Sequence, residues 1–246
     1  MLIWIVLISI LLPITVLLLG YPRINLPRQT VDESMEDMEV VQAFDRISQW
    51  PGFKFIRRAI VRELRRFDPK GLLVDVGCGP GYLIMSICKE IPHLKIIGVD
   101  ISEEMIQKAS ANLLSLGLGD QAEFRKGDIK RMPFRSGTVD FVVSTFSLHH
   151  WSDPKKSLNE IRRILKPKGQ FLLFDFRRDS RRLFYWLLTF ASKTGPERFR
   201  EDNEPMASFL SSYTSSEMES VLSKTQFTRW GIRPRLGWMY VWGYKT

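Results

Sequence analysis

The apolar residues of the chain follow three different patterns. Residues 2–19 are uncharged and almost wholly apolar. From Glu39 to Phe67 the apolar residues recur at helical spacing on two segments, separated at Trp50-Pro51-Gly52. After Gly71, short β-prone runs alternate with helical segments, an order typical of a mostly parallel sheet with helices on both faces. The pattern predicts an α/β protein with an additional N-terminal apolar helix.

The alternating region supplies the predicted elements of one domain. Its strands are expected at Leu72–Val76, Lys95–Val99, Ala122–Lys126, Val139–Ser144 and Gln170–Phe174. The helices between them are expected at Tyr82–Lys89, Glu103–Leu116 and about Lys156–Leu165. A terminal pair of strands is expected at Phe227–Arg233 and Trp238–Tyr244, on either side of Pro234 and Gly237. A chain of 246 residues can therefore bury one sizeable core.

The N-terminal segment, residues 1–20, is predicted to be a membrane anchor. An eighteen-residue helix is about 27 Å long, close to the roughly 30 Å of a hydrocarbon core. A cleaved signal peptide fits less well, because no basic region precedes the apolar run and Leu18-Leu19-Gly20 is a poor cleavage site. Arg23 and Arg28 follow the run, so the positive-inside rule predicts a single-pass protein whose body is cytoplasmic. Residues 21–38 then form a juxtamembrane linker.

Charge and cysteine content limit the partners and the compartment. Lys and Arg outnumber Asp and Glu by 36 to 27, a net charge of +9 that favours an anionic partner, either nucleic acid or an acidic lipid surface. Cys78 and Cys88 are the only cysteines, too few for a disulfide framework or a zinc cluster. We expect free thiols, a reducing compartment and no structural metal.

A glycine-rich stretch at the end of the first predicted strand indicates a ligand site. Val74 to Gly81 reads as a strand, three alternating glycines and the start of a helix, where the backbone can turn sharply and approach a ligand. The spacing G-x-G-x-G differs from the dinucleotide fingerprint G-x-G-x-x-G. Asp100 and Asp128 follow the next two strands, where carboxylates can accept hydrogen bonds from ribose hydroxyls and an amino group.

These motifs together resemble the class I S-adenosylmethionine-dependent methyltransferases, especially the branch with the ubiquinone and menaquinone C-methyltransferases. The matching stretches are VDVGCGPG, IIGVDIS, GDIKRMPF, VDFVVSTFSLHHW and IRRILKPKGQFLLFD, in order over about Leu72 to Asp175. The resemblance implies a Rossmann-like sheet of seven strands with an antiparallel last strand. It also implies that residues 39–246 form the methyltransferase domain, with residues 176–215 as a lid or substrate insertion, and that S-adenosylmethionine is the cofactor.

The resemblance assigns roles to individual residues. Asp75, Gly77, Gly79 and Gly81 would border the methionine part of the cofactor, Asp100 would hold the ribose, Asp128 would receive the adenine amino group, and Ile101 and Ile129 would flank the ring. Cys78 in the glycine loop and Ser144 at the end of the fourth strand complete the predicted cofactor set. His149 and His150 are the candidates for accepting a proton or positioning a substrate, with packing near the site as the alternative. Trp151 is either a substrate wall or a core aromatic.

Two C-terminal features leave the acceptor open. The basic and aromatic segment 177–191 is either a lid or an interfacial helix. The cluster formed by Met206, Phe209, Leu210 and Tyr213 belongs either to an apolar substrate chamber or to the core. The basic residues of two segments face either an anionic leaflet or solvent: Arg57, Arg58, Arg62, Arg65 and Arg66, and the Arg177–Arg182 group.

Three functions follow from these features. The sequence favours a methyltransferase for a small, lipophilic or membrane-associated acceptor. An RNA or protein methyltransferase is the alternative, although STFSLHHW lacks the N-P-P-Y type of signature and no RNA-binding module is recognised. The third hypothesis is a non-catalytic, cofactor-binding adaptor at the membrane.

Overall fold

The structure is a computed structural model that describes residues 2–20, 26–29, 38–195 and 197–246. Within these residues one sheet contains the strands β1 (Leu72–Val76), β2 (Lys95–Asp100), β3 (Ala122–Lys126), β4 (Val139–Thr145), β5 (Leu165–Phe176), β6 (Arg229–Pro234) and β7 (Trp238–Tyr244). The helices are α1 (Leu2–Gly20), α2 (Met38–Ser48), α3 (Pro51–Arg65), α4 (Tyr82–Glu90), α5 (Glu103–Ser115), α6 (Pro154–Ile164), α7 (Arg182–Thr194), α8 (Glu197–Glu201), α9 (Met206–Ser211) and α10 (Ser215–Ser223). A 3-10 turn at Leu148–His150 follows β4.

The strand order is β3-β2-β1-β4-β5-β7-β6, with β7 antiparallel to both of its neighbours. The first five strands run parallel because a helix or a long crossover returns the chain between them. The seven-stranded α/β sheet predicted from the sequence is confirmed. The carboxyl ends of β1, β2 and β4 therefore meet at one edge, beside the point where strand order reverses.

Both faces of the sheet are covered by apolar side chains of helices. Successive residues of a strand point to opposite faces, so Leu73 packs with α3 and α4 while Val74 packs with α6 and α10. Cys78 and Cys88 are buried free thiols, as predicted.

The boundary between α6 and β5 differs from the prediction. The helix begins at Pro154 because Asp153 caps it, with Oδ1 accepting from the Lys156 amide at 2.9 Å. It ends at Ile164, and β5 begins at Leu165 rather than at Gln170 because Leu165 already pairs with Val139 before a register shift. Periodicity could not locate this strand start, since the pairing partner is distant in the sequence.

The segment predicted to be a membrane anchor, residues 1–20, forms helix α1 over Leu2–Gly20. Its described side chains between Ile3 and Leu12 are exposed. Among the residues that the structure describes, no helix combines the length and the apolarity of a membrane span, so the predicted anchor is not confirmed. The side chains of Leu2, Val6 and residues 14–20 fall outside those described residues. The predicted linker, residues 21–38, also lies outside the described residues, except for residues 26–29 and Met38.

Candidate functional site

A cavity of about 320 Å³ opens at the carboxyl ends of β1, β2 and β4. Most of the predicted site residues line it, namely Gly77, Cys78, Gly79, Asp100, Ile101, Asp128, Ile129, His149 and His150. The structure thus brings together residues spread over more than seventy positions of the sequence. Asp75, Gly81 and Ser144 are not part of the cavity wall.

The glycine loop is held in a backbone conformation that side chains disfavour. Gly77 and Gly79 have φ angles of 69° and 50°. The amides of Gly77 and Cys78 both donate to the Val99 carbonyl, at 2.8 and 3.1 Å, which ties the loop to the end of β2. A methyl group on Gly77 would lie 2.7 Å from Ser147 Cβ, whereas one on Gly79 would meet no atom within 4 Å. Gly77 is thus confined by packing, and Gly79 faces open space.

Asp100 is fixed by backbone donors at the end of β2. Its Oδ2 accepts from the Gly79 amide at 2.8 Å and its Oδ1 accepts from the Ser102 amide at 3.1 Å. Burial raises the pKa of Asp100, and the backbone hydrogen bonds oppose that shift. Each carboxylate oxygen can accept a further hydrogen bond, so Asp100 is preoriented for hydroxyl donors.

Asp75 supports the site from within β1. It is buried, and neither of its carboxylate oxygens has a hydrogen-bond partner among the described residues. Burial and the neighbouring charge of Asp100 raise the pKa of Asp75 to about 8. Ser144 is also a supporting residue, since its Oγ donates to the Val76 carbonyl at 2.6 Å and joins β4 to the end of β1.

A backbone hydrogen bond to the end of β2 positions Asp128 and Ile129 at the cavity. The Gly127 amide donates to the Asp100 carbonyl at 2.8 Å, which places the turn after β3 beside Asp100. Asp128 Oδ1 accepts from the Lys130 amide at 2.8 Å, while its other oxygen lies 3.7 Å from Lys130 Nζ. Ile101 is 60% exposed at the cavity, where its side chain is available to a ligand.

His149 is the more constrained of the two predicted histidines. Its Nδ1 lies 2.9 and 3.0 Å from the two carboxylate oxygens of Asp175, and its amide donates to the same carboxylate at 2.9 Å. Nε2 is buried and has no hydrogen-bond partner among the described residues. The His150 ring lies with its centroid 4.0 Å from that of His149. Trp151 is both core and cavity wall, and its Nε1 donates to Ser147 Oγ at 3.1 Å.

The other end of the cavity is aromatic and aliphatic, and its residues are not among the predicted site residues. Phe44, Ile47, Phe53 and Ile56 come from α2 and α3, and Phe146 and Phe176 come from the ends of β4 and β5. Phe146 has a φ of 53°, which only surrounding packing can hold in a residue of this size. Its ring centroid lies 5.0 Å from those of Phe174 and Phe176 and 6.0 Å from that of Phe53.

Buried Asp45 holds α2 over this apolar end. Its Oδ1 accepts from the Tyr82 hydroxyl at 3.0 Å and from Asn112 Nδ2 at 2.9 Å. Lys108 adds an ion pair at 3.1 Å. Burial and the Asp45 hydrogen bond raise the pKa of Tyr82 to about 12, so the phenol stays a donor at neutral pH. Helix α2 is thereby fixed to α4 and α5.

The insertion after β5 contributes both to core packing and to the cavity wall. Met206 and Phe209 pack with Leu188 in a small core, with Leu210 at its edge, and Tyr213 belongs to the main core. These residues do not line the cavity, so core packing is the alternative that the structure supports. Glu204, Pro205 and Ser208 line the cavity instead.

Two arginines of the predicted outward basic group are buried. Arg177 pairs with Asp179 and Arg178 pairs with Glu217. The expectation that the whole Arg177–Arg182 group faces a leaflet or solvent is therefore wrong for these two residues, because acidic partners hold them inside. Arg57 also differs from its helical neighbours, since it lines the cavity and lies 5.2 Å from the Tyr82 ring centroid.

A short N-terminal segment reaches the same region. Arg28 Nε donates to the Ser211 carbonyl at 2.6 Å, and Nη2 donates to the His149 carbonyl at 3.1 Å. The guanidinium carbon lies 4.2 Å from the centroid of the Tyr213 ring. The positive-inside rule predicts only a topological role for Arg28, and no local pattern reveals a contact over 183 positions.

Comparison with known proteins agrees with this geometry. Residues 74–173 match the family model described as "Methyltransferase domain". The chain is 31% identical over 103 residues to an uncharacterized methyltransferase of Bacillus subtilis. The aligned region is 42% of this chain and 40% of that relative. It is 28% identical over 149 residues to a demethylmenaquinone methyltransferase of Symbiobacterium thermophilum, over 60% of this chain and 58% of that relative. The chain thus spans less than two thirds of these relatives.

Solved structures share the fold. One is a phosphoethanolamine N-methyltransferase 2 of Haemonchus contortus, solved in complex with S-adenosyl-L-methionine. It superimposes with a TM-score of 0.64 at 18% identity, and the matched region is 87% of this chain and 58% of that chain. The family match over residues 74–173 agrees with the predicted methyltransferase function, and the structural likeness confirms the predicted fold.

The residues of the cavity fit this cofactor. Gly79 leaves open space where a ligand can approach the backbone. Asp75 lies outside the cavity wall, and its two buried carboxylate oxygens lack partners in the described part of the chain. Asp100 and Asp128 can accept hydrogen bonds from a nucleoside, with Ile101 and Ile129 available to the faces of its base.

Proposed function

We propose that this protein transfers a methyl group from S-adenosylmethionine to a small, lipophilic acceptor. One observation carries the proposal: a single cavity joins the predicted cofactor residues to a wall of phenylalanine and isoleucine side chains. Nucleophile and methyl donor can therefore be aligned in one largely apolar space, and alignment is the main requirement of methyl transfer. The name of the Symbiobacterium relative, a demethylmenaquinone methyltransferase, supports a small-molecule acceptor.

Binding and transfer are tested separately. Isothermal titration of the full chain with S-adenosylhomocysteine tests the cofactor site, and no detectable binding would overturn the proposal. Incubation with methyl-labelled S-adenosylmethionine and with lipid, RNA and protein fractions then tests the acceptor. We expect label in the lipid extract. Label confined to RNA or protein would favour the alternative methyltransferase function, and binding without labelling would favour a non-catalytic adaptor.

We propose further that the protein works at a membrane, with the catalytic domain on the cytoplasmic side. The support is the uncharged sequence of α1, its exposed side chains from Ile3 to Leu12, and the arginines that follow it. Helix α7 adds a second apolar surface, formed by the exposed side chains of Trp186, Leu187 and Phe190. Its opposite side packs on α9 through Leu188, so α7 combines a packed inner face with an interfacial outer face.

Membrane binding is tested in two steps. Alkaline carbonate extraction of membranes should leave the full chain in the pellet and release a chain that lacks residues 1–20. The shortened chain should still bind anionic vesicles, and W186S together with F190S should weaken that binding at least tenfold. L114S is the matched control, because Leu114 is equally exposed on α5. Release of the full chain by carbonate would overturn the anchor, and equal vesicle binding by all variants would overturn the role of α7.

A further inference from the structure

We infer that His149 and Asp175 form a proton-accepting pair, and that the acceptor is a molecule that loses a proton when it is methylated. The inference rests on the proposed methyl transfer and assigns to the apolar acceptor a hydroxyl or an acidic C–H group. His149 is the proton acceptor in this pair, and Asp175 is a positioning residue that does not touch the acceptor.

Asp175 determines the orientation of the His149 ring. The carboxylate stands at the end of β5 and accepts from three donors, the His149 amide at 2.9 Å, the His149 Nδ1 at 2.9 Å and the Phe176 amide at 2.7 Å. His149 is 4% exposed and Asp175 is 2% exposed, so solvent supplies little hydrogen bonding to either side chain. A carboxylate can only accept, and Nδ1 must therefore carry the hydrogen.

The opposite ring nitrogen is consequently left with a lone pair. In the neutral ring Nε2 is an acceptor, and it has no donor among the described residues although it is closed to solvent. A buried acceptor without a donor destabilises the fold unless a ligand satisfies it. Since His149 belongs to the cavity wall, an O–H or acidic C–H group of a bound acceptor that reaches Nε2 would satisfy it.

The groups packed around His149 hold the pair in place. The His150 ring lies beside the His149 ring, and Arg28 Nη2 donates to the His149 carbonyl at 3.1 Å. Tyr213 lies under the Arg28 guanidinium and near Asp175. These contacts hold the turn that carries His149, and among the described residues Asp175 is the acidic group that contacts its imidazole.

Methyl transfer and proton transfer to His149 form one balanced step. The acceptor's oxygen or carbon forms a bond to the methyl carbon while its proton passes to Nε2 of His149. The cofactor supplies the methyl group, and sulfur keeps the electron pair of the broken carbon–sulfur bond. The imidazolium that results is stabilised by the Asp175 carboxylate and later returns its proton to water. General base assistance of this kind contributes roughly 10²–10⁴-fold to a rate.

A nuclear magnetic resonance measurement tests the pair without activity. Nitrogen-15 spectra of the imidazole side chains should show His149 protonated on Nδ1 and bare on Nε2 at neutral pH. In D175N this tautomer should lose its dominance. H93Q and H150Q assign the signals, because the chain has three histidines. A wild-type His149 that is protonated on Nε2 would overturn the inference.

The kinetic test uses label incorporation into the lipid extract. H149Q should lower the maximal rate by on the order of 10²-fold, and D175N should lower it less, while the affinity for S-adenosylhomocysteine stays within about threefold of wild type. H93Q is the control, since His93 is exposed and lies outside the cavity wall. A wild-type rate in H149Q would overturn the inference. If the wild type binds S-adenosylhomocysteine but labels no fraction, the proposed function fails, and the nitrogen spectra still judge the pair.

Discussion

The Gly79 amide donates a 2.8 Å hydrogen bond to Oδ2 of Asp100, and this bond joins the two halves of the predicted cofactor site. The glycine loop and the acidic strand end come from different βα units of the chain. Their contact means that a change in either one alters the position of the other. Cofactor binding and the local fold are therefore coupled at this point.

Substitution of Asp100 should weaken cofactor binding. D100A removes a charged acceptor and leaves the Gly79 and Ser102 amides without their partner, which should cost about 1.5–3 kcal/mol, or about 10–150-fold in Kd. Isothermal titration with S-adenosylhomocysteine measures the change. D120A is the control because Asp120 is exposed and outside the cavity. Equal affinities of D100A and D120A would contradict the assignment.

Two glycines with the same backbone angle separate strain from steric overlap. Gly77 and Gly117 have φ angles of 69° and 68°, but only Gly77 has a neighbour, Ser147, where a Cβ would be placed. G117A should lower the free energy of unfolding by about 1–2 kcal/mol through the left-handed backbone alone. G77A should lower it further and also weaken S-adenosylhomocysteine binding. Urea denaturation compares the two, and equal losses would show that the loop can yield to Ser147.

The buried carboxyl of Asp75 should make stability depend on pH. Burial raises the pKa of Asp75 to about 8, above its value of roughly 4 in the unfolded chain. Its stabilising contribution is thus fully present below about pH 4 and is lost as pH rises toward 8, at up to about 1.4 kcal/mol per pH unit. D75N removes this titration. The unfolding free energy of D75N minus that of the wild type should therefore increase between pH 5 and pH 8 in urea titrations, and a constant difference would contradict the shift.

Arg28 should stabilise the turn that carries His149. R28A leaves the carbonyls of Ser211 and His149 without their donor and removes the contact with the Tyr213 ring, which should cost about 1–3 kcal/mol. R28K should recover only part of this, because a single ammonium cannot reproduce the guanidinium fork. R46A is the control, as Arg46 is exposed on α2. Thermal unfolding ranks the variants, and an R28A midpoint equal to that of R46A would refute the role.

Local patterns account for the part of the molecule that the sequence determined. The alternation after Gly71 predicts the strands, and the spacing of Gly77, Gly79 and Gly81 predicts the loop. Both signals depend on near neighbours, since side-chain alternation and backbone freedom are properties of short segments. Parallel strands then bring their carboxyl ends to one edge, so Asp100 and Asp128 could be assigned to one cavity in advance.

The tertiary structure decided everything that depends on distant partners. Asp175 lies 26 positions from His149 and Arg28 lies 183 positions from Ser211, and no periodicity encodes such pairs. The burial of Arg177 and Arg178 depends likewise on where acidic partners fall after folding. The apolar wall comes from α2 and α3 and from the ends of β4 and β5, and the sequence spacing predicted these elements but not that they would meet. Sequence determines which residues can form a strand, a loop or a helix face, whereas the choice of partner for each side chain requires the packed chain.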